Sequence, residues 1–298
     1  MKHSTGPEVP KIRSSVRTYV NFPCLVYVVK VAQISYLHFG STDSAAVAAL
    51  SAALEAEKPD LTVVTGDLTQ SGRKSEFEAA RVFLRALGGR ILSVPGNHDA
   101  PVRNLARRFA SPWSRFEHYI GAAEAVSIAA DGVAVVGVNS ARRAAPRFNW
   151  SYGSLSRTSI VETCALTAMH RREGRMVIVA CHHPFVQGPN RAGAEIVGRG
   201  EEALRAFREA GVAAVATGHV HVSSATPIAA AAGEILSIQA GSAASDRQRG
   251  EPASFNLIQA ETDPEKLTIT VMGLVNEGFQ SVRRSVFHRG DRIWKVSV

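Results

Sequence analysis

The chain has 298 residues, of which 45% are hydrophobic, and its mean hydropathy is about zero. Thirty-four Lys and Arg residues against 26 Asp and Glu residues give a formal net charge of +8. This composition is typical of a globular protein with a large core, and it excludes a disordered chain, a collagen-like repeat and a coiled coil. No stretch of 18 or more uncharged apolar residues occurs, so the sequence predicts no membrane span.

The positive charge is concentrated at the two ends of the chain. Residues 1–24 carry four bases and one acid, and residues 279–298 carry five bases and one acid, so the ends hold +7 of the net charge of +8. A protein that binds nucleic acid without sequence preference is expected to carry basic residues on its folded body. We therefore do not expect nucleic-acid binding. The ends are either solvated tails or segments that attract an anionic surface or partner.

The N-terminal region contains an apolar run, 22–29 (FPCLVYVV), that resembles the core of a signal peptide. Lys30 interrupts the run and no small-residue cleavage site follows at once, so we interpret it as a first buried strand. The three cysteines, Cys24, Cys164 and Cys181, lack CxxC spacing and leave one unpaired in any disulfide scheme. This usage favours a reducing compartment, and we expect a cytoplasmic protein.

Apolar runs and helical patterns alternate along the middle of the chain. Unbroken runs rich in β-formers, which are typical of strands buried on both faces, lie at 61–65, 91–94, 133–138, 176–181 and 212–217. Helical patterns lie between them at 47–54, 77–87, 155–172 and 200–210. Beyond residue 222 only strands are indicated, at 235–240, 255–260 and 267–271. The pattern predicts an α/β domain whose later part is mainly β.

We expect one domain over residues 25–275, preceded by an N-terminal extension at 1–24 and followed by a basic C-terminal segment at 276–298. Neither an internal repeat nor a low-complexity linker divides the chain. Within the C-terminal segment, residues 286–298 alternate apolar and polar side chains and form either an edge strand or a docking segment.

Polar side chains follow five of the predicted strands, where each strand ends. They are, in chain order, Tyr36 and His38, then Asp67, then Asn97, His98 and Asp99, then His182 and His183, and finally His219 and His221. In open α/β sheets ligands bind outside the carboxyl ends of the strands, so we expect these side chains at one edge. Imidazole, carboxylate and amide donors without thiolates suit Mn, Fe, Co, Ni or Zn. Asp67 is placed to bridge two such ions, and Asp99 is expected to orient or charge the neighbouring imidazole of His98.

Four motifs in this order, GD at 66–67, GNHD at 96–99, HHP at 182–184 and GHVH at 218–221, resemble those of the calcineurin-like metallophosphoesterases. The segment 66–72 (GDLTQSG) further resembles the bacterial class III cyclic-nucleotide phosphodiesterase branch. The resemblance implies a four-layer α-β-β-α sandwich of two mixed sheets flanked by helices. It also implies a dinuclear centre of two divalent metal ions of the Mn, Fe, Zn or Co type.

The resemblance assigns roles to the strand-end residues, and it implies that Asp67 bridges the two metals. The implied ligands of the first metal are His38 and His221, and those of the second are Asn97, His182 and His219. The family's strand register favours His182 over His183. His98 is implied as the acid that protonates the leaving group or as a clamp on the phosphate.

One position departs from the family pattern, because Tyr36 stands two residues before His38 where aspartate is usual. A phenol is a poor ligand at its reference pKa of about 10, although a bound metal can depress that pKa. Three interpretations stay open. Tyr36 is an altered ligand, or the first metal site is weakened or empty, or the change is incidental, since Asp and Tyr codons can differ by one base.

The implied activity is that of a metal-dependent phosphodiesterase, in which a metal-bridging hydroxide attacks phosphorus in line. Cyclic nucleotides are the first candidates, and other small phosphoesters stay open because fold and metal core do not set the substrate. Alternatively, Tyr36 marks a catalytically impaired regulator that binds metal or a phospholigand, although the intact GNHD and GHVH motifs count against this. A nuclease is disfavoured by the nearly neutral body. A loop with Arg142, Arg143, Arg147 and Asn149 is either solvated or meets a phosphate.

Overall fold

The structure is a computed structural model that describes residues 28–102, 104–143, 151–187, 196–230, 233–244 and 252–297. The thirteen strands of these residues are β1 (Val28–Ile34), β2 (Leu61–Val64), β3 (Ile91–Ser93), β4 (Val126–Ala130), β5 (Val133–Gly137), β6 (Met176–Ala180), β7 (Val212–Thr217), β8 (Ser224–Ala230), β9 (Gly233–Gln239), β10 (Ser254–Thr262), β11 (Glu265–Val275), β12 (Gly278–Gly290) and β13 (Ile293–Ser297). The helices are α1 (Ser44–Glu57), α2 (Lys74–Leu87), α3 (Leu105–Ala110), α4 (Ser114–Tyr119), α5 (Arg157–Arg172) and α6 (Gly200–Ala210).

The strands form two mixed sheets. The first has the order β13-β12-β11-β10-β1-β2-β3, in which β1, β2 and β3 are parallel and the other pairs antiparallel. The second has the order β4-β5-β6-β7-β9-β8, with a parallel centre of β5, β6, β7 and β9 and an antiparallel strand at each edge. The five strands expected to be buried on both faces correspond to β2, β3, β5, β6 and β7.

Three apolar clusters show that the elements stack in four layers. The largest lies between the sheets, where Val31 and Val63 of the first sheet share a cluster with Val135 and Ile178 of the second. A second cluster joins α1 and α2 to the outer face of the first sheet, and a third joins α5 and α6 to the outer face of the second. Each central strand therefore has apolar side chains on both faces, which is why its sequence is an unbroken apolar run. The expected α-β-β-α sandwich is confirmed.

The main helices begin and end where local chemistry predicts. The Asp43 carboxylate accepts from the amide of Ala45 at 2.8 Å and so caps α1, and Ser156 caps α5 by accepting from the amide of Ser159 at 2.9 Å. Gly211 adopts a left-handed conformation with φ 95° and ends α6. Each capping residue lies within a few positions of the helix end that it determines, so these helix ends can be predicted from the sequence alone.

A buried polar bridge joins the two sheets near the end where the strand-end motifs lie. The Asn256 amide of β10 donates to Gln33 Oε1 at 3.0 Å and to the backbone carbonyl of Gln239 at 2.9 Å. The Gln33 amide in turn donates to the carbonyl of Thr217, at the end of β7, at 2.9 Å. All four residues are buried, so the bridge fixes how the sheet carrying β1 sits against the sheet carrying β7.

The C-terminal residues differ from the expected boundary at 275. Residues 278–297 form β12 and β13, which extend the first sheet through antiparallel pairing with β11, and β13 is its edge strand. Trp294 anchors that edge, since it is buried and donates from Nε1 to the carbonyl of Ala213 at 3.1 Å. The expected extension at 1–24 lies outside the described residues. None of the helices that the structure describes has the length and apolar character needed to cross a membrane.

Candidate metal centre

Five connections meet at one end of the sandwich, each following the carboxyl end of a parallel strand. The connections after β1, β2 and β3 come from the first sheet, and those after β6 and β7 come from the second. The structure brings together all the strand-end residues predicted from the sequence, namely Tyr36, His38, Asp67, Asn97, His98, Asp99, His182, His183, His219 and His221. Asp67, His38 and His182 are buried, whereas Asn97, His98, His219 and His221 are only half-buried. The cluster is therefore open to a solute on the side of the half-buried residues.

The backbone of this cluster is strained. Five non-glycine residues adopt positive φ, namely Tyr36 (56°), His38 (45°), Asp67 (56°), His219 (70°) and His221 (59°). Each such conformation costs on the order of 1–3 kcal/mol and persists where the surrounding structure holds it, most often at functional sites. The strain turns successive side chains of short loops towards one point.

His182 is the centre of the most compact group of donors. Its Nε2 lies 3.1 Å from Asn97 Oδ1, 3.3 Å from His219 Nδ1 and 3.4 Å from Asp67 Oδ2. Its Nδ1 donates a hydrogen bond to the carbonyl of Thr65 at 2.8 Å, which leaves the Nε2 lone pair facing the group. A carboxylate, an amide oxygen and two imidazole nitrogens at this spacing are the donor set of a borderline divalent ion, so these residues fit a metal.

The donors implied for the first metal are arranged around an aromatic ring. Nε2 of His38 lies 3.8 Å from Asp67 Oδ2, the same oxygen that lies 3.4 Å from Nε2 of His182. The Tyr36 ring is fully buried and stacks on the His221 imidazole, with ring centroids 3.8 Å apart and planes 23° apart. Its centroid also lies 5.7 Å from that of His38 and 5.8 Å from that of His182. Position 36, where the family pattern usually has the short side chain of aspartate, thus holds a packed aromatic ring.

His183 lies beside this group, and the nitrogens of His182, His183 and His219 all lie within 4.8 Å of one another. Both nitrogens of the His183 ring nevertheless have other contacts, Nδ1 with Ser140 Oγ at 2.9 Å and Nε2 with the carbonyl of Ser151 at 2.8 Å. Burial, followed by the neighbouring charges of His219 and His182, lowers the pKa of His183 well below its usual value. These contacts give His183 the role of a neutral packing residue, and the choice of His182 as the ligand stays a prediction.

Asp99 and His98 have separate hydrogen-bonding partners. Oδ1 and Oδ2 of Asp99 accept from the amides of Thr69 and Gly96, both at 2.9 Å, which ties the loop after β2 to the loop after β3. The ring of His98 is oriented by the carbonyl of Gln70, 2.9 Å from Nδ1. The sequence predicts that Asp99 orients or charges this ring. In the structure the carbonyl of Gln70 orients the ring, because the 97–99 turn directs the Asp99 carboxylate back to backbone amides. The charging role stays a prediction.

Charge states within the cluster follow from burial and from the neighbouring groups. Burial works to raise the pKa of Asp67, but the imidazoles of His182, His98 and His38 outweigh it and hold that pKa well below its usual range. Burial lowers the pKa of His38 to about 4, although Asp67 partly opposes this. Burial and then the charge of Asp67 raise the pKa of Asp99 to about 7. An ionised carboxylate and a neutral imidazole are the forms in which these two ligand types bind metals.

Close approach of the loops requires glycine at two positions. A Cβ at position 96 would overlap Oδ1 of Asp67, and one at position 66, where φ is 88°, would clash with the ring of His182. The glycines of the GD and GNHD motifs therefore bring the carboxylate and the imidazole together.

Sequence analysis missed one residue of the cluster, Ser140. Its Oγ accepts from the amides of His182 and His183, at 3.2 and 3.1 Å, and so holds the loop after β6. The signal was present, since Ser140 follows the predicted strand 133–138 as the other site residues follow theirs. Of the basic loop, the carbonyls of Arg142 and Arg143 accept from the buried guanidinium of Arg108. Arg147 and Asn149 lie outside the described residues.

Comparison with known families agrees with the motifs. The model of the family "Calcineurin-like phosphoesterase" matches residues 29–223, more than half of the chain. The chain belongs to the calcineurin-like phosphoesterase family. All of the clustered strand-end residues lie within the matched range.

Two curated relatives of this family member are phosphodiesterases by name. A probable glycerophosphodiester phosphodiesterase GpdQ of Arcobacter nitrofigilis is 27% identical over 173 residues, covering 57% of this chain and 59% of that protein. A probable cyclic nucleotide phosphodiesterase of Synechococcus sp. is 32% identical over 82 residues, covering 24% of this chain and 32% of that protein. The matches thus span less than two thirds of either relative. They agree with the resemblance to the bacterial class III branch.

Solved structures share the fold at low identity. A dimetal phosphatase from Danio rerio superposes with a TM-score of 0.58 at 13% identity, covering 85% of this chain and 98% of the phosphatase. The purple acid phosphatase PPD1 from yellow lupin superposes with a TM-score of 0.63 at 11% identity, covering 86% of this chain and 53% of that protein. At these identities the similarity shows only that the sandwich fold is shared.

Proposed function

We propose that this member of the calcineurin-like phosphoesterase family is a metal-dependent phosphodiesterase acting on small phosphodiesters. The observation that carries the proposal is the convergence of Asp67, Asn97 and His219 on Nε2 of His182 within 3.4 Å. The names of the two curated relatives support a diester substrate, of the glycerophosphodiester or cyclic-nucleotide class.

The donor atoms fit two metal positions of different quality. Asp67, Asn97, His182 and His219 would hold an ion in the better-formed position, and Asp67, His38 and His221 would hold one beside the Tyr36 ring. A divalent ion bound here supplies Lewis acidity to a phosphoryl oxygen and makes water a stronger nucleophile near neutral pH. We propose that the position beside Tyr36 binds metal more weakly, because a stacked ring replaces an anionic ligand there.

The chain's own contribution to the reaction centres on His98. Because the carbonyl of Gln70 accepts from Nδ1 at 2.9 Å, Nε2 of the ring carries a second proton only when the imidazole is charged. A half-buried imidazolium can give that proton to a departing alkoxide, a step for which histidine is suited near neutral pH. The amide of His98 donates to Asp67 Oδ1 at 3.0 Å, so the acid and the ligand carboxylate are held at a constant separation.

Hydrolysis of bis(p-nitrophenyl) phosphate with added Mn²⁺ tests the proposal, with a chelated sample as the blank. We expect metal-dependent turnover that is faster than that of p-nitrophenyl phosphate. With cyclic AMP, whose leaving group is an alkoxide, His98→Gln is expected to slow turnover about 10²-fold or more while leaving metal binding in place, as the loss of a general acid does. Cyclic AMP and glycerophosphocholine then separate the two substrate classes. The proposal fails if the natural chain does not exceed the blank with any of these substrates.

The packed Tyr36 ring also favours a second candidate function, a regulator that binds metal or a phospholigand and does not turn it over. The two candidates differ in one measurement, because both bind Mn²⁺ at His182 but only the enzyme hydrolyses the diester. Calorimetric Mn²⁺ binding without turnover in any of the substrates above would identify the regulator.

A further inference from the structure

A cavity of about 410 Å³ lies at the opposite end of the sandwich from the metal centre. Its wall includes Gly211, directly before β7, whereas the metal centre takes His219 from the loop directly after β7. Six strand residues separate the two ends by roughly 20 Å, so the sites do not share a wall. Four arginines line the cavity, Arg171, Arg208, Arg289 and Arg292.

The carboxylates near this cavity leave its positive charge only partly balanced. Glu265 is shared between two of the arginines, accepting from Arg171 at 3.0 Å and from Arg289 at 2.8 Å. The other two acids of the wall, Glu209 and Asp263, are exposed and have no ion pair among the described residues. The wall therefore holds four guanidinium groups against three carboxylates, and Glu265 pairs with two of the four.

Arg289 is built into the cavity wall and is not a mobile surface chain. Its side chain is only 7% exposed, and its guanidinium lies over the Trp294 ring with 5.4 Å between the guanidinium carbon and the ring centroid. One nitrogen is held by Glu265, but the buried Nε has no hydrogen-bond partner among the residues that the structure describes. The contacts with Glu265 and Trp294 therefore make Arg289 a fixed positive charge in the cavity wall.

Arg208 adds a second buried guanidinium. The residue is 4% exposed, and it packs against Gly233, where a Cβ would overlap the guanidinium. Burial lowers the pKa of Arg208, and the positive charges of Arg289 and Arg292 lower it further. Like charges are held together here by the fold, an arrangement that a bound anion would relieve.

We propose that this cavity is a second, non-catalytic site, which binds the phosphate group of a small phosphomonoester or inorganic phosphate. Guanidinium groups pair with phosphate through two parallel hydrogen bonds, and a doubly charged anion suits several arginines better than a carboxylate does. The cavity volume lies within the range of small-ligand pockets, so it has room for more than the phosphate itself. The proposal does not rest on the proposed diesterase activity, because no residue of the metal centre takes part.

Isothermal titration calorimetry of the metal-free full chain tests the site, since chelation removes phosphate binding at the metal centre. Inorganic phosphate, adenosine 5′-monophosphate and acetate are titrated separately at one ionic strength. We expect saturable binding of either phosphate compound at about one per chain and much weaker binding of acetate. Binding of inorganic phosphate without binding of the nucleotide indicates that the site holds only a phosphate group. Tighter binding of the nucleotide indicates that the rest of the cavity also contacts the ligand.

Two variants and a matched control locate the binding. Arg292→Gln removes an exposed guanidinium but keeps the backbone carbonyl that accepts from the amide of Glu234. Arg289→Gln removes the guanidinium that is packed into the cavity wall. Each is expected to weaken phosphate binding about tenfold or more. Arg172→Gln, an exposed arginine next to Arg171 but outside the cavity wall, is expected to leave it unchanged within about twofold.

Several results would overturn the proposal. They are the absence of saturable phosphate binding, equally tight binding of acetate, and equal losses in Arg292→Gln and Arg172→Gln. If Arg289→Gln fails to fold, Arg292→Gln still tests the proposal, because the side chain of Arg292 is exposed and its replacement is expected to leave the fold intact. Circular dichroism and melting curves establish which variants are folded.

Discussion

Replacing Tyr36 by aspartate tests how this chain departs from its family. The Tyr36 ring is fully buried, stacks on His221 at 3.8 Å and lies within 6 Å of the rings of His38 and His182. Tyr36→Asp removes that ring and introduces an anionic oxygen donor beside Asp67. The structure therefore predicts opposite effects on the stability of the metal-free protein and on its capacity for metal.

The size of the loss follows from burial. Removing a fully buried aromatic ring costs about 3–5 kcal/mol of the free energy of unfolding, and a buried carboxylate without a partner adds to it. At about 2.1 cal/mol/K per residue, the 298 residues have an unfolding entropy of about 0.6 kcal/mol/K. A loss of 1 kcal/mol therefore lowers Tm by about 1.6 °C, and the metal-free variant is expected to melt about 5–8 °C lower. Mn²⁺ at about 100 times its Kd raises the free energy of unfolding by about 2.7 kcal/mol for each added site.

Metal counting and turnover are the assays. We expect bound Mn²⁺ to rise from about one to about two ions per chain and the diesterase rate to rise about tenfold or more, as a second ion allows. Tyr36→Phe is the control, because it keeps the stacked ring and removes only the hydroxyl. If Tyr36→Phe loses metal, the phenol is itself a ligand. If Tyr36→Asp binds no additional metal and reacts no faster, the reasoning about a weakened position is refuted.

Four further substitutions test individual contacts. His182→Gln is expected to abolish Mn²⁺ binding measured by calorimetry, whereas His183→Gln keeps it, because both nitrogens of His183 are already hydrogen-bonded to serines. Gly96→Ala is expected to weaken Mn²⁺ binding about tenfold or more, since its Cβ displaces the carboxylate oxygen of the GD motif. Asn256→Ala is expected to lower the free energy of unfolding in urea by about 2–4 kcal/mol, because it leaves two buried acceptors of the bridge between the sheets unsatisfied.

Controls for these substitutions come from the same chain. Gly278→Ala has open space around its Cβ and is expected to leave metal binding unchanged. A metal-binding loss in His183→Gln as large as that in His182→Gln would contradict the ligand assignment. A change of less than about 0.5 kcal/mol in Asn256→Ala, the range of ordinary surface substitutions, would show that the bridge does not stabilise the fold.

The layered fold and the gathering of the site could be predicted because they depend on local patterns. The run at 61–65 has no charged residue and is rich in β-formers because its side chains are buried on both faces of β2, and the polar residues after it must then lie at the sheet edge. The same reasoning placed Asn97, His182 and His219 together, although they are separated by up to 122 positions in the printed sequence. It also indicated the class of metal, since the donor types are properties of the residues themselves.

Contacts between distant side chains depended instead on how the two sheets pack. Stacking of Tyr36 on His221 depends on positive φ at both residues. Orientation of His98 by Gln70 and the hydrogen bonds of His183 join loops that are far apart in the sequence. The basic C-terminal residues show the same limit. By charge alone they form a tail or a docking segment, yet β12 and β13 bring Arg289 beside Glu265 and Arg208. Charge and periodicity are properties of the sequence itself. The partner of a buried side chain, in contrast, is determined only when separate segments fold against one another.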